Sequence, residues 1–191
     1  MLFRSKLILT VIFFFNTELQ RFRSECLAAH NYYRSLHRTP PLVWNSSLAD
    51  SAQSWADQLA RSDYLKYSNE KGIGENIACC WGSNLTGFKA TQIWYEEKEY
   101  FDYESLCITP RTRSFCQIIW QGTKQLGAAK AKTTHGKELV VARYKPSTTR
   151  ENVAQNVQTP TTEKKPAHKH SSPAQRLTCF VGKVLKSSLT V

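Results

Sequence analysis

The spacing of apolar residues along the chain predicts four helices followed by a pair of strands. From Ser24 to His37, Cys26, Ala29, Tyr33 and Leu36 recur at helical spacing, and Pro40 and Pro41 end the segment. Leu48, Ala52, Trp55, Ala56 and Leu59 form the stripe of a second helix running to about Arg61, with Ser47 and Asp50 spaced as a capping box at its start. A third helix, Phe88 to Phe101, follows Thr86-Gly87 and turns Ala90, Ile93, Trp94 and Phe101 inward. Phe115, Ile118 and Ile119 mark a shorter one between Ser114 and Gln121. Two strands, Leu126 to Lys132 and Glu138 to Tyr144, are joined by the turn Thr133-Thr134-His135-Gly136. Leu139 to Ala142 is apolar on both faces, as an inner strand requires, and Pro146 closes it.

Two carboxylates break this pattern. Between the second and third helices lies Leu65 to Ala78, where Gly72 and Gly74 predict a tight loop. Glu75 and Asn76 then lead directly into the apolar run Ile77 to Trp81. Glu97 falls on the apolar stripe of the third helix, four residues after Ile93 and three after Trp94. A carboxylate entering apolar surroundings must find donors or keep its proton, so Glu75 and Glu97 are the candidate cavity residues. His30 and His37, seven apart on the first helix, lack the i, i+4 spacing of a helical metal pair and read as packing residues.

Composition fits one globular domain with tails: 191 residues, 41% hydrophobic and 12% aromatic. Charge divides the chain. Residues 1–123 carry 13 basic and 12 acidic groups, while residues 124–191 carry 13 and 3. A neutral body with a basic end implies anionic partners for that end, an anionic membrane surface first. Ser147 to Gln175, rich in Thr, Pro, Lys, Asn and Gln, is expected to be disordered. Leu177 to Val191, with Phe180, Val181, Val184 and Leu185 between Lys183 and Lys186, is expected to form a short basic amphipathic helix. Phe180 is the one aromatic residue beyond Tyr144, so the tail is poorly supplied for base stacking and nucleic acid is not expected as a partner.

At the other end, Arg4 and Lys6 precede the apolar run Leu7 to Phe15, a signal-like segment that lacks a small-x-small cleavage site. Two sequons, Asn45-Ser46-Ser47 and Asn84-Leu85-Thr86, make Asn45 and Asn84 candidate glycosylation sites in a secretory compartment. Six cysteines contain no CxxC pair. Cys79 and Cys80 are adjacent and cannot join each other without strain, whereas Cys107 and Cys116 bracket a short loop and are able to pair. The division expected is a signal-like or anchor segment at 1–21, a domain at 22–146 and a basic low-complexity tail at 147–191.

The order of segments resembles the CAP superfamily of cysteine-rich secretory, antigen five and pathogenesis-related proteins. The matching pieces are His30-Asn31-x-x-Arg34, Gly74-Glu75-Asn76, Trp94-Tyr95-x-Glu97, Phe115-x-x-x-x-Trp120 and Ala142-Arg143-Tyr144-x-Pro146. The stretch Leu126 to Tyr144 contains no cysteine, which places the likeness nearest the Golgi-associated plant pathogenesis-related branch. The resemblance implies an α+β fold, a three-layer α–β–α sandwich, and a role in binding lipid, sterol or anionic membrane, or a protein partner. The signal-like segment and the sequons lead to a secreted, extracellular protein, whereas the resemblance to the Golgi-associated branch implies the alternative, a protein peripheral to Golgi or other intracellular membranes.

The family cavity usually holds two acids and two histidines. The acids match Glu75 and Glu97, but Tyr67 and Ser114 stand where the histidines would be. Neither replaces imidazole as a zinc ligand at neutral pH, so no metal, no cofactor and no catalytic residue is expected. The binding cavity expected is Tyr67, Glu75, Glu97 and Ser114, in a non-enzymatic binding protein. The competing expectation is a hydrolase-like enzyme that uses Glu75 and Glu97 as acid and base.

Overall fold

The computed structural model describes residues 2–82, 84–161 and 179–181. Eight elements make up the body: α1 (Leu2–Leu36), β1 (Val43–Trp44), α2 (Ser46–Ser62), β2 (Gly74–Trp81), α3 (Gly87–Glu96), α4 (Arg113–Ile119), β3 (Gln125–Lys132) and β4 (Lys137–Lys145). A 3-10 turn, Glu97–Tyr100, extends α3, and two short elements follow β4: α5 (Val153–Asn156) and β5 (Cys179–Val181). The strands form one sheet in the order β1-β3-β4-β2-β5. β1 runs parallel to β3 and every other pairing is antiparallel, so the sheet is mixed.

Both faces of the sheet are covered, and the side-chain alternation of the strands shows how. Along β4, Val140, Ala142 and Tyr144 join the core formed with α1, α3 and α4. Leu139 and Val141 turn the opposite way onto Ala52, Ala56 and Leu59 of α2. β2 splits likewise, with Ala78 and Cys80 on the first face and Ile77 and Cys79 on the second. The result is the three-layer α–β–α sandwich. Two glycines set its spacing. A Cβ at Gly127 of β3 would lie 2.2 Å from the backbone nitrogen of Ala49, and one at Gly87 would lie 2.6 Å from that of Cys26. The first turn of α2 therefore rests directly on β3, and the start of α3 rests directly on α1.

Polar residues of α1 tie the layers together. His30 is fully buried, its ring nitrogens paired with the Cys26 carbonyl at 2.7 Å and the Tyr144 hydroxyl at 2.8 Å. Asn31 exchanges two hydrogen bonds with the backbone of Leu42. Arg34, also fully buried, donates to the carbonyls of Pro40, Ile118, Trp120 and Thr123 at 2.7–3.0 Å. His37 pairs with the Gln158 carbonyl and the Tyr95 hydroxyl. Both histidines are packing residues, and burial lowers their affinity for a proton, to a pKa of about 4 for His30.

Several expectations need correction. α1 begins at Leu2 and not at Ser24, so the signal-like segment and the core helix are one unbroken element. Asn45, not Ser47, caps α2, accepting from the Leu48 amide at 3.0 Å. Glu75 and Asn76 sit inside β2, not in a loop, because their backbone pairs with Arg143 and Ala142. The helix Phe88 to Phe101 ends as an α-helix at Glu96. Cys107 and Cys116 are free thiols, as are Cys26 and Cys79, whereas Cys80 is disulfide-bonded.

The start of the expected disordered tail is ordered. Val153 and Val157 are buried in the main core, and Thr161 donates to the Leu36 carbonyl through both its amide and its hydroxyl. The packed body thus reaches residue 161. Residues 179–181, expected in an amphipathic helix, form a strand on β2 with Cys179 opposite Cys80. The remainder of that expected helix lies outside the described residues.

Candidate functional site

The loop after α2 and the start of β2 build one wall of a cleft. Gly72, at φ +75°, occupies the left-handed region and turns the chain back toward the sheet. Gly74 packs for a different reason: a Cβ there would lie 2.0 Å from Gln117 Oε1 and would displace the Gln117 amide from the floor. Facing this loop are Ile108, Pro110 and Arg113 from the approach to α4, and Ser147 to Arg150 from the strap that follows β4. The Thr148 amide donates to Gln117 Oε1 at 3.1 Å, which holds the strap over the floor. The cleft is half open to solvent and its volume is about 350 Å³.

Tyr67 and Glu75 line this cleft. Glu75 Oε1 accepts from the Ser68 amide and Oε2 from the Ser68 hydroxyl, both at 2.8 Å. Arg143, on the neighbouring strand, lies beneath, its Nη2 3.4 Å from Glu75 Oε2. Its Nη1 bonds to Glu70 and to the Ser51 hydroxyl. Arg143 is nearly buried, and one guanidinium serves two carboxylates. Burial raises the Glu75 pKa above the usual carboxylate range, opposed by the Ser68 bonds and by Arg143.

Glu97 and Ser114 are joined to each other beneath the cleft and are not among its lining residues. Glu97 Oε2 accepts from the backbone amides of Ser114 at 2.8 Å and Phe115 at 3.2 Å, so the carboxylate caps the first turn of α4. Burial dominates nonetheless and pushes its pKa up to about 7 against the pull of those amides. Mutual repulsion of the two acids is not the cause: neither carboxylate figures in the other's shift. Tyr67 stands between them electrostatically. Its pKa is raised by burial first, then by Glu97 and Glu75, while Arg113, 5.4 Å above the Tyr67 ring, opposes the rise.

This donor set does not fit a metal ion. Glu75 is held by Ser68 and Arg143, Glu97 by two backbone amides, and no imidazole accompanies them. Among the described residues, no three of His, Cys, Asp and Glu converge as a metal site would need.

Three contributors carried no assigned role in the sequence. Arg143 had a signal, a lone cation inside a strand apolar on both faces, which demands buried acids as partners. Gln117 had none beyond its place on α4. Ser147 to Arg150 pointed the wrong way, since composition alone suggested disorder. Of the candidate glycosylation sites, Asn84 is exposed, while Asn45 uses its oxygen to cap α2 and its nitrogen to donate to Gln125 Oε1 at 2.9 Å.

Comparison with known proteins agrees with this architecture. The profile of the cysteine-rich secretory protein family, CAP, matches residues 27–144. Golgi-associated plant pathogenesis-related protein 1 of Homo sapiens is 36% identical over 132 residues, covering 67% of this chain and 84% of that protein. Pathogenesis-related protein 1B of Nicotiana tabacum is 31% identical over 144 residues, covering 74% of this chain and 85% of that protein. The solved structure of BmVAL-1 superposes with a TM-score of 0.60 at 23% identity, covering 73% of this chain and 84% of its own, a likeness of fold. With a profile match across most of the body, and with the motif residues of α1, β2, α4 and β4 in the contacts described above, this chain belongs to the CAP family.

Proposed function

We propose that the protein is a non-enzymatic binding module whose cleft takes a small amphiphile with an anionic head, such as a fatty acid or a lipid head group. The observation that carries this reading is the division of charges around the cleft. Both candidate acids are held by internal donors. Arg113 and Arg150, on the rim, have no ion-pair partner among the described residues. A guanidinium without a carboxylate partner is a ready site for a planar anion. Tyr67, Ile73, Ile108 and Pro110 supply apolar wall beside it.

An acid–base enzyme would need at least one of the carboxylates free to exchange a proton with a ligand. Glu97 has a suitably raised pKa, but its bonded oxygen faces the backbone of α4. Extracellular and Golgi-associated settings both suit a cleft of this kind, and the second appears in the name of the human relative.

The test is calorimetric titration of palmitate, and of palmityl alcohol as the uncharged control. Palmitate should bind and the alcohol should bind more weakly. Arg113→Ala with Arg150→Ala should remove the difference, while Glu97→Gln should leave it. Equal binding of both probes to the double variant and the parent would refute the reading. So would ester hydrolysis by the parent that disappears in Glu97→Gln.

A further inference from the structure

α1 carries a segment the cleft does not use. The helix is continuous from Leu2 to Leu36, and its lower part is locked into the body. Phe22 and Cys26 are buried, and the Gly87 contact leaves no room between α1 and α3 at these residues. Helical rise places Phe15 about 10 Å beyond Phe22, and the run Leu7 to Phe15 covers about 13 Å more. No Ala, Gly or Ser occurs between Val11 and Arg23, so the chain offers no small-x-small cleavage sequence before the part of α1 that the core requires. The first small residues, Ser24, Ala28 and Ala29, already belong to the packed helix. Removing the apolar run by cleavage there would remove Phe22 from the core.

We infer that the N-terminal part of α1 is a retained anchor that inserts into one leaflet of a lipid bilayer, with the CAP domain held rigidly at its base. The length decides the mode. Nine residues, all apolar but Thr10, reach at most about half the roughly 30 Å hydrocarbon thickness, so the segment enters a membrane without crossing it. No described helix is long and apolar enough to cross one. Charge decides the orientation. Arg4 and Lys6 lie on one side of the run and Arg21 and Arg23 on the other. A helix lying along the interface lets Arg4 or Lys6 at one end and the exposed Arg21 at the other meet lipid phosphates while the run between them sinks among the acyl chains; Arg23, packed over Trp44, stays with the body. An upright helix would instead drive Arg4 and Lys6 into the hydrocarbon. The anchor is independent of the cleft and its ligand.

The test is flotation of the full chain with vesicles of phosphatidylcholine, and of phosphatidylcholine with phosphatidylserine, at low salt and at about 1 M salt, where surface charges are screened. The parent should float with both vesicles at both salt concentrations, because insertion of apolar residues is not screened. Ile8→Lys with Ile12→Lys should reduce flotation on phosphatidylcholine to background while leaving the thermal midpoint unchanged. Leu9→Gln with Phe13→Gln is a milder pair, to be used if the lysine pair does not fold. Protein isolated from eukaryotic cells should still contain the run Leu7 to Phe15. Four results would each overturn the inference: an N-terminus beyond Phe15, release of the parent at high salt, undiminished flotation of the variants, or a parent dimer that the variants abolish without any flotation.

Discussion

Substituting Glu97 by Gln separates its charge from its shape. The side chain is nearly buried, with 8% of its surface exposed, and one of its oxygens accepts two amides of α4. Gln keeps an acceptor oxygen in that place and cannot ionise. The folded pKa is about 7, against an ordinary value of 4.5, with burial the first cause. For an acid whose pKa is raised on folding, the native state binds the extra proton, so stability falls as pH rises between the two values. Below about pH 4.5 both states are protonated and Glu97 contributes no difference. Above about pH 7 both are ionised, and the native state carries the burial penalty. A rise from 4.5 to about 7 corresponds to roughly 3 kcal/mol. Urea unfolding at pH 4.5 to 8, followed by tryptophan fluorescence, should therefore show parent and variant close together at the acid end. The variant should be more stable by up to about 3 kcal/mol at pH 8. Subtracting the two profiles cancels the other titrating groups, including Glu75, His30 and His37. If the variant is instead less stable at pH 8, the α4 amides outweigh burial, the folded pKa lies below 4.5, and the reasoning fails.

Three other outcomes follow from the same geometry. Expression in a secretory system should place a glycan on the exposed Asn84 in preference to Asn45, read by peptide mass after glycosidase treatment in heavy water; occupancy at Asn45 alone would contradict this. A chain ending at residue 146 loses buried Val153 and Val157 and should unfold at a temperature several degrees below one ending at residue 161, since each buried side chain of this size is worth about 1.5–3 kcal/mol; equal midpoints would mean the strap is not part of the core. Zinc titrated into the untagged protein should reveal no site of micromolar strength at the cleft, and a site of that strength lost in Glu75→Gln would show that Ser68 and Arg143 release the carboxylate to a cation.

The parts of the fold set by periodicity were legible in the sequence. α2 shows its stripe openly because Ala52, Ala56 and Leu59 face one side of the sheet and nothing else. β4 reads as an inner strand because both its faces are covered. The acids were visible for the same reason, as charges standing in apolar surroundings. Their partners were not. Ser68, Arg143 and the α4 amides are brought to Glu75 and Glu97 by sheet register and by helix placement, neither of which leaves a mark at local spacing. The strap failed for a related cause. Val153 and Val157 are too few and too widely set in polar sequence to show a period, yet a preformed core gives them a place to bury.

Arg34 also imposes an order on synthesis. Its four carbonyl acceptors include Ile118, Trp120 and Thr123, which lie 84 to 89 residues further along the chain. A ribosome adding about 5–20 residues per second needs roughly 4–18 s to make that stretch. Throughout that interval the guanidinium has no protein partner beyond the Pro40 carbonyl and must stay in water. Cys26, Ala29 and Tyr33 share the helix and wait with it, since the sheet that covers them is completed only by β3 and β4. The nascent chain therefore presents an uncovered apolar helix face for several seconds, the kind of surface that cellular chaperones bind, and docking α1 falls among the last steps toward the native state.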